Sequence, residues 1–366
     1  MSLDNYANRL SDAGDAAQGL ARAKQALDIR ERLAKNKPQR FEPDWATSLG
    51  NYASHLAEVG NIMQAVACAK QAVEILERLA KHKPERFESG WTMFLSNYAN
   101  RLADVGDTMQ ALACAKQALD IRERLAKDKP ERFEVDWATS LNNYANHLAD
   151  AGNTTPALTC AKQALDIHER LAKNKPERFE PDWAMSLGNY ANHLADAGDT
   201  PQALACAQQA LDIYERLAKD RPVKFLAAVH KGKLTVALWE WLAENSTLLL
   251  APVEVIDDSE VPYEMRPVRF FRQVLHVLGT EQTSEKAAAF EAVWERWSEM
   301  SKAQQTHWEH TYLVACAYAE ANACLPQHLD GWRSQINAMN IRRNGNLPQW
   351  MRQVAERKGF SLGIDE

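Results

Sequence analysis

The sequence predicts an all-α protein: an α-α superhelix of five 46-residue repeats, followed by a smaller helical domain. Three observations predict it. A tandem repeat of fixed length fills residues 1–222. Within each repeat, two stretches place their apolar residues on one helical face. Residues 223–366 lose the repeat but keep helical periodicity, and they hold seven of the eleven tryptophans.

The repeat is the strongest signal, and internal periodicity outranks any local motif. The string NYAN starts at Asn5, Asn97, Asn143 and Asn189, and as NYAS at Asn51, with a period of 46 and no insertion or deletion. Trp45, Trp91, Trp137 and Trp183 keep that period, as do Phe41, Phe87, Phe133, Phe179 and Phe225. Residues 97–142 and 143–188 are identical at 35 of 46 positions, the mark of recent tandem duplication.

Each repeat reads as two helices, A and B. In one repeat helix A is expected from about Asp136 to Asp150, with Trp137, Leu141, Tyr144, Ala145 and Leu148 on one face. Asp136 suits an N-cap, and Gly152 lies where a left-handed residue closes a helix. Helix B follows to about Lys173, with Ala157, Cys160, Ala161, Ala164, Leu165, Ile167 and Leu171 inward. In the next repeat Thr200-Pro201 forms an N-cap and N1 pair. Lys175-Pro176 is expected to stop helix B, because the residue before proline avoids the helical region. The segment PERFE is then expected to be a loop.

The ends carry their own expectations. Met1-Ser2-Leu3 aligns with Met185-Ser186-Leu187, so the chain starts inside a helix A. Either the native protein extends upstream or that first half-helix frays, since an uncapped repeat end exposes stacking surface. The fifth repeat keeps its helix B, about Thr200–Lys219, and Ala227–Glu244 is placed to cap it. Residues 1–222 are expected to be the repeat domain and 223–366 a helical C-terminal domain. Helices are expected there at 224–245, 264–278, 284–300, 302–323, 329–340 and 347–358. Between them, residues 245–267 read as a short strand with an acidic loop at Asp257–Glu260.

The array resembles a tetratricopeptide repeat (TPR) solenoid of the long-helix kind found in kinesin light chains and many bacterial proteins. Ala145, Gly152, Ala157 and Ala164 stand at the family's small-residue positions, and AKQALDIRERLAK is similar to the kinesin light chain repeat. The 46-residue unit exceeds the family's 34, and the helix-A tryptophan lies one turn early. The resemblance covers residues 1–222 and implies a groove, lined by helix A, that binds extended or helical peptides.

The candidate peptide-binding residues form two series on helix A. One is Asn8, Asn100, Asn146 and Asn192, with Ser54 in the second repeat. The other, four residues on and so on the same side of the helix, is Asp12, Glu58, Asp104, Asp150 and Asp196. Asparagine offers a donor and an acceptor to a peptide backbone, and carboxylates attract Lys or Arg. The alternative reading is a solvated face copied along by duplication. The basic series Arg9, His55, Arg101, His147 and His193 is expected to pair with these acids at i,i+3.

Composition and motifs narrow the function. Net charge is −6, −3 on each side of residue 222, so no basic face points to nucleic acid or an anionic membrane. Cys68, Cys114, Cys160 and Cys206 recur every 46 residues, and stacked repeats hold such positions too far apart for disulfides. All six cysteines are expected to be reduced, and these four buried, in a cytoplasmic protein. No phosphate-binding loop, dinucleotide fingerprint, HExxH or nucleophile elbow occurs. No catalytic residue, metal or cofactor is expected. The function expected is a non-catalytic protein-protein interaction scaffold for a peptide or protein partner, a basic one being an option that the acidic series offers. A sensor or regulatory half of a larger bacterial effector is one alternative, and an enzyme with its site in 223–366 is another.

Overall fold

The computed structural model describes residues 3–12, 15–244, 265–280, 283–325 and 331–364, and among these it is helical with no strand. Eleven helices belong to the repeats or follow directly from them. They are α1 (Leu3–Asp12), α2 (Ala16–Asn36), α3 (Pro38–Glu58), α4 (Ile62–His82), α5 (Pro84–Asp104), α6 (Thr108–Asp128), α7 (Pro130–Asp150), α8 (Thr154–Asn174), α9 (Pro176–Asp196), α10 (Thr200–Asp220) and α11 (Pro222–Glu244). Six more follow: α12 (Arg266–Gly279), α13 (Thr283–Ser298), α14 (Lys302–His307), α15 (Glu309–Ala321), α16 (Trp332–Arg342) and α17 (Gln349–Lys358).

Helices α2 to α10 run 21 residues each because the boundaries recur. Helices α3, α5, α7 and α9 are the A helices, and each starts at a proline. PERFE is therefore the first turn of helix A and not a loop. Lys37, Lys83 and Lys175 stand at N-cap positions, and the following proline occupies N1. Its missing N–H is one that the helix start cannot bond anyway, and its fixed φ already suits the helix. At the other end Gly60, Gly106, Gly152 and Gly198 adopt φ of +83°, +80°, +77° and +88°. The next N–H closes the turn back onto helix A, as from Asn61 to Leu56 O at 2.8 Å and from Asp199 to Leu194 O at 2.9 Å. Asp15, Asp107 and Asp199 then cap helix B by accepting from the backbone N–H of Gln18, Gln110 and Gln202.

The chain divides into two compact units. One comprises residues 1–147 with 301–306; the other comprises 148–300 with 307–366. In the first, consecutive helices from α1 to α6 pack on each other. Small residues set the contacts: Ala53 and Ala99 on helix A and Ala65 and Ala111 on helix B are fully buried or nearly so. Repeated ion pairs brace each hairpin, Arg78 on Glu42 at 3.0 Å and Arg124 on Glu88 at 2.8 Å. Buried Arg122 donates to Thr92 Oγ1 within its hairpin at 3.0 Å and across to Ser140 Oγ of the next repeat at 2.8 Å.

In the second unit α8 to α11 continue the same packing, with Ala157, Ala191 and Ala203 fully buried. Here α11 packs against α10 but also against α12 and α17. The core is aromatic: Phe270, Phe290 and Trp332 are among its largest fully buried side chains, and Trp297 stacks on Tyr312 at 4.2 Å. The expected helix over 302–323 is broken at Trp308 into α14 and α15. The expected strand and acidic loop fall in 245–264, outside the described residues. No two cysteines are disulfide-bonded. Cys316 is buried, but the repeat cysteines Cys68, Cys114, Cys160 and Cys206 are half-buried, at the edge of the helix contacts.

Candidate functional site

Helix A carries the two candidate series in one register. Asn8, Asn100, Asn146 and Asn192 are all exposed. Asn8 is tied to the next repeat, its Oδ1 lying 3.1 Å from His55 Nε2. Asp12 lies at the end of α1. Glu58, Asp104, Asp150 and Asp196 sit at or near the last turn of helix A, half-buried beside the glycine turn.

The four acids meet different partners. Glu58 Oε2 lies 3.4 Å from His55 Nδ1, three residues back on α3. Burial pushes its carboxyl up, but hydrogen bonds from His55 and Ser11 and the nearby charges of His55 and Arg101 bring it below the usual range. Asp104 pairs with Arg101 at 3.0 Å, again three residues back. Burial nevertheless raises its carboxyl, with Arg101 opposing. These two are the i,i+3 pairs that the spacing predicts.

Asp150 and Asp196 break that pattern. The residues three back, His147 and His193, are buried, and burial pushes both imidazoles down to about 4, with Arg343 adding to the effect at His193. They are neutral at pH 7 and supply no cation. Both acids instead face Arg343, from the segment joining α16 to α17. Its guanidinium lies 3.3 Å from Asp196 and 3.9 Å from Asp150, and its side chain is only 4% exposed. The Asp196 side chain is 16% exposed and that of Asp150 48%, yet burial raises the Asp150 carboxyl too, with Arg343 and Arg342 opposing. Burial raises the Asp196 carboxyl to about 6, although the Arg343 charge and hydrogen bonds from Arg343 and Trp350 oppose the rise.

The same segment also reads the backbone of the glycine turn. Asn344 Nδ2 donates to Ala151 O at 3.0 Å, and Asn346 Nδ2 donates to Gly152 O at 3.2 Å. Asn344 and Gly345 both adopt left-handed φ, 51° and 79°, which turns the chain sharply after α16. Arg343 Nε donates to Asn346 O at 2.9 Å and holds that turn. A Cβ on Gly152 would stand 1.9 Å from Arg343 O, so only glycine admits this approach. Beside it Arg342 pairs with Glu309 at 3.0 Å.

Sequence reasoning found the acids but missed Arg343, Asn344, Asn346 and Trp350. Their signal was the run Arg342-Arg343-Asn344-Gly345-Asn346, a basic, amide-rich Asn-Gly turn between two helices. Among the described residues no group of three or more His, Cys, Asp or Glu could hold a metal ion, and no helix is long and apolar enough to cross a membrane.

The helical hairpins, with alanines at their contacts and a left-handed glycine at the four described A-to-B turns, form a tetratricopeptide-like repeat fold. The family model described as "Tetratricopeptide repeat" matches residues 136–216, which hold most of α7 and all of α8 and α9. Among solved structures the chain is similar to BtubC (BKLC) from P. vanneervenii, at 18% identity and a TM-score of 0.50, over 73% of this chain and 94% of that one. It is similar to the apo form of RapI, at 15% identity and 0.50, over 86% and 97%. It is also similar to a Rap protein complexed with Competence and Sporulation Factor, at 16% identity and 0.50, over 97% and 98%. At such identities the likeness is one of fold. No curated protein sequence matches the chain.

Proposed function

We propose that the chain is a non-catalytic, cytoplasmic scaffold that binds a partner protein through an extended, basic or amide-rich segment lying along the helix-A face. Residues 1–222 form the repeat domain in this reading, and 223–366 the helical domain that follows it. The observation that supports it best is the seating of Arg343 between Asp150 and Asp196, with Asn344 and Asn346 on the adjacent turn carbonyls. Helix-A acids in this register take a guanidinium, and the turn takes side-chain amides. The exposed Asn8, Asn100, Asn146 and Asn192 extend the same chemistry along the face, with Asp12, Glu58 and Asp104 in the acid register. The Rap protein complexed with Competence and Sporulation Factor shows that a fold of this kind accommodates a partner.

The test is fluorescence anisotropy with labelled model decapeptides rich in Arg and Asn, rich in Asp, or uncharged. The Arg/Asn peptide binds at low salt, and binding weakens as the screening length falls towards about 8 Å at physiological ionic strength. Replacing Asn100, Asn146 and Asn192 together with Ala leaves the helix content intact and weakens that binding. If the triple variant binds as the parent does, the helix-A face is merely solvated and the reading fails.

A further inference from the structure

We propose that Asp150, Asp196 and the carbonyls of Ala151 and Gly152 form a recognition site for an Arg-Asn-x-Asn turn, and that the chain's own residues 343–346 are its resident, displaceable occupant. The inference rests on the reading of helix A as a partner-binding face, and it assigns two acids of that face to an internal pseudo-ligand.

Three features make this a receptor with an occupant. The first is that its parts come from the repeat. The acid, the left-handed glycine and the turn carbonyls recur in each register, whereas Arg343 to Asn346 come from outside the repeat. The second is that the acids are available. Where Arg101 stands three residues before the acid, Asp104 is held on its own helix at 3.0 Å. Where that position is the buried, uncharged His147 or His193, the acid is left for a cation from elsewhere.

The third is that the contact is concentrated in side chains that a peptide can reproduce. The guanidinium fork sits between two carboxylates, the arrangement in which arginine outperforms lysine. Two primary amides donate to two consecutive carbonyls. Asn344, Gly345 and Asn346 are exposed, so the turn is open to solvent from above while the Arg343 side chain fills the site below. Covalent attachment gives the resident turn an effective concentration in the millimolar range or above, so a weak partner in trans is kept out. A partner gains entry by presenting the same turn with further contacts along helix A.

The probe is a fluorescein-labelled peptide spanning residues 340–347, Asn-Ile-Arg-Arg-Asn-Gly-Asn-Leu, added to the full chain. Arg343→Ala empties the guanidinium site, and its binding of the peptide rises at least about tenfold over the parent. Adding Asp196→Asn to that variant abolishes the gain. Should Arg343→Ala fail to fold by circular dichroism, Asn344→Ala with Asn346→Ala removes only the two amide donors and produces a gain in the same direction. If neither variant binds the peptide better than the parent, residues 343–346 are a structural staple and the proposal is overturned. That failure leaves the helix-A reading standing, because the asparagine triple variant with the Arg/Asn decapeptide tests it independently.

Discussion

Repeats two and three differ from repeats four and five in where the same acid finds its counter-charge. Asp104 finds its own one helical turn away, in Arg101, and Glu58 lies beside His55 at the same spacing. Asp196 finds its own in Arg343, 147 residues further along. The acids occupy equivalent positions on equivalent helices, so the backbone does not explain the difference. The residue three positions earlier is Arg101 beside Asp104, but it is a buried histidine beside Glu58 as well as beside Asp150 and Asp196. What sets repeats four and five apart is the Arg343 segment seated on their acids.

The largest expected effect separates the two arginines. Arg343→Ala leaves an enclosed carboxylate without its cation, a change that typically costs about 3–5 kcal/mol. Arg101→Ala leaves Asp104, itself only 15% exposed, without a cation that is 20% exposed against 4% for Arg343, and is expected to cost less, about 1–3 kcal/mol. Urea unfolding of both variants checks the contrast, and equal losses would remove the distinction between the two kinds of rung.

A second contrast uses two glycines of nearly the same φ. Gly60→Ala meets only ordinary contact, with Lys302 Cβ at 3.9 Å, so its cost is the left-handed backbone, about 1–2 kcal/mol. Gly152→Ala pays that and drives its methyl into Arg343 O at 1.9 Å. It is expected to lose at least about 1–3 kcal/mol more, the usual range for overpacking. Denaturation midpoints that fall together would show that the approach of Arg343 relaxes freely.

The third contrast is in pH. His147 and His193 titrate near 4 in the folded chain against about 6.5 unfolded, so their contribution is complete above 6.5 and is lost as pH falls towards 4. Each is worth on the order of 3 kcal/mol over that window. Asp196 has the opposite sign. Raised to about 6, it favours the fold below about 4, and that contribution is lost as pH rises through 6. The histidine contribution falls from pH 6.5 to 4, while that of the raised carboxyls of Asp104, Asp150 and Asp196 grows as pH falls. His193→Gln lessens any loss of stability between pH 7 and pH 5 and Asp196→Asn enlarges it, read as urea midpoints at the two pH values.

What the sequence made legible follows from the range of each interaction. The period, the alanine contacts, the glycine turns and the Arg101–Asp104 pair are local, and five copies repeat the message. PERFE misled because proline reads as a stop for the preceding helix and equally as N1 of the next; here the two helices abut with a single lysine between them. The partner of Asp150 and Asp196 was hidden for a different reason. Periodicity identifies positions shared between repeats, and Arg343 belongs to none. Likewise the neutrality of His147 and His193 comes from burial, which spacing alone does not report.

The separation between Asp196 and Arg343 also has a consequence in time. The repeat helices close through neighbours and need nothing that is made later. The Arg343 contact waits until another 147 residues have been added. At about 5–20 residues per second that interval lasts roughly 7–30 s, long beside the microseconds in which helices form. During synthesis repeats four and five therefore stand folded with two carboxylates unmatched on one edge. In each round of translation this edge passes through an open state before its own chain closes it.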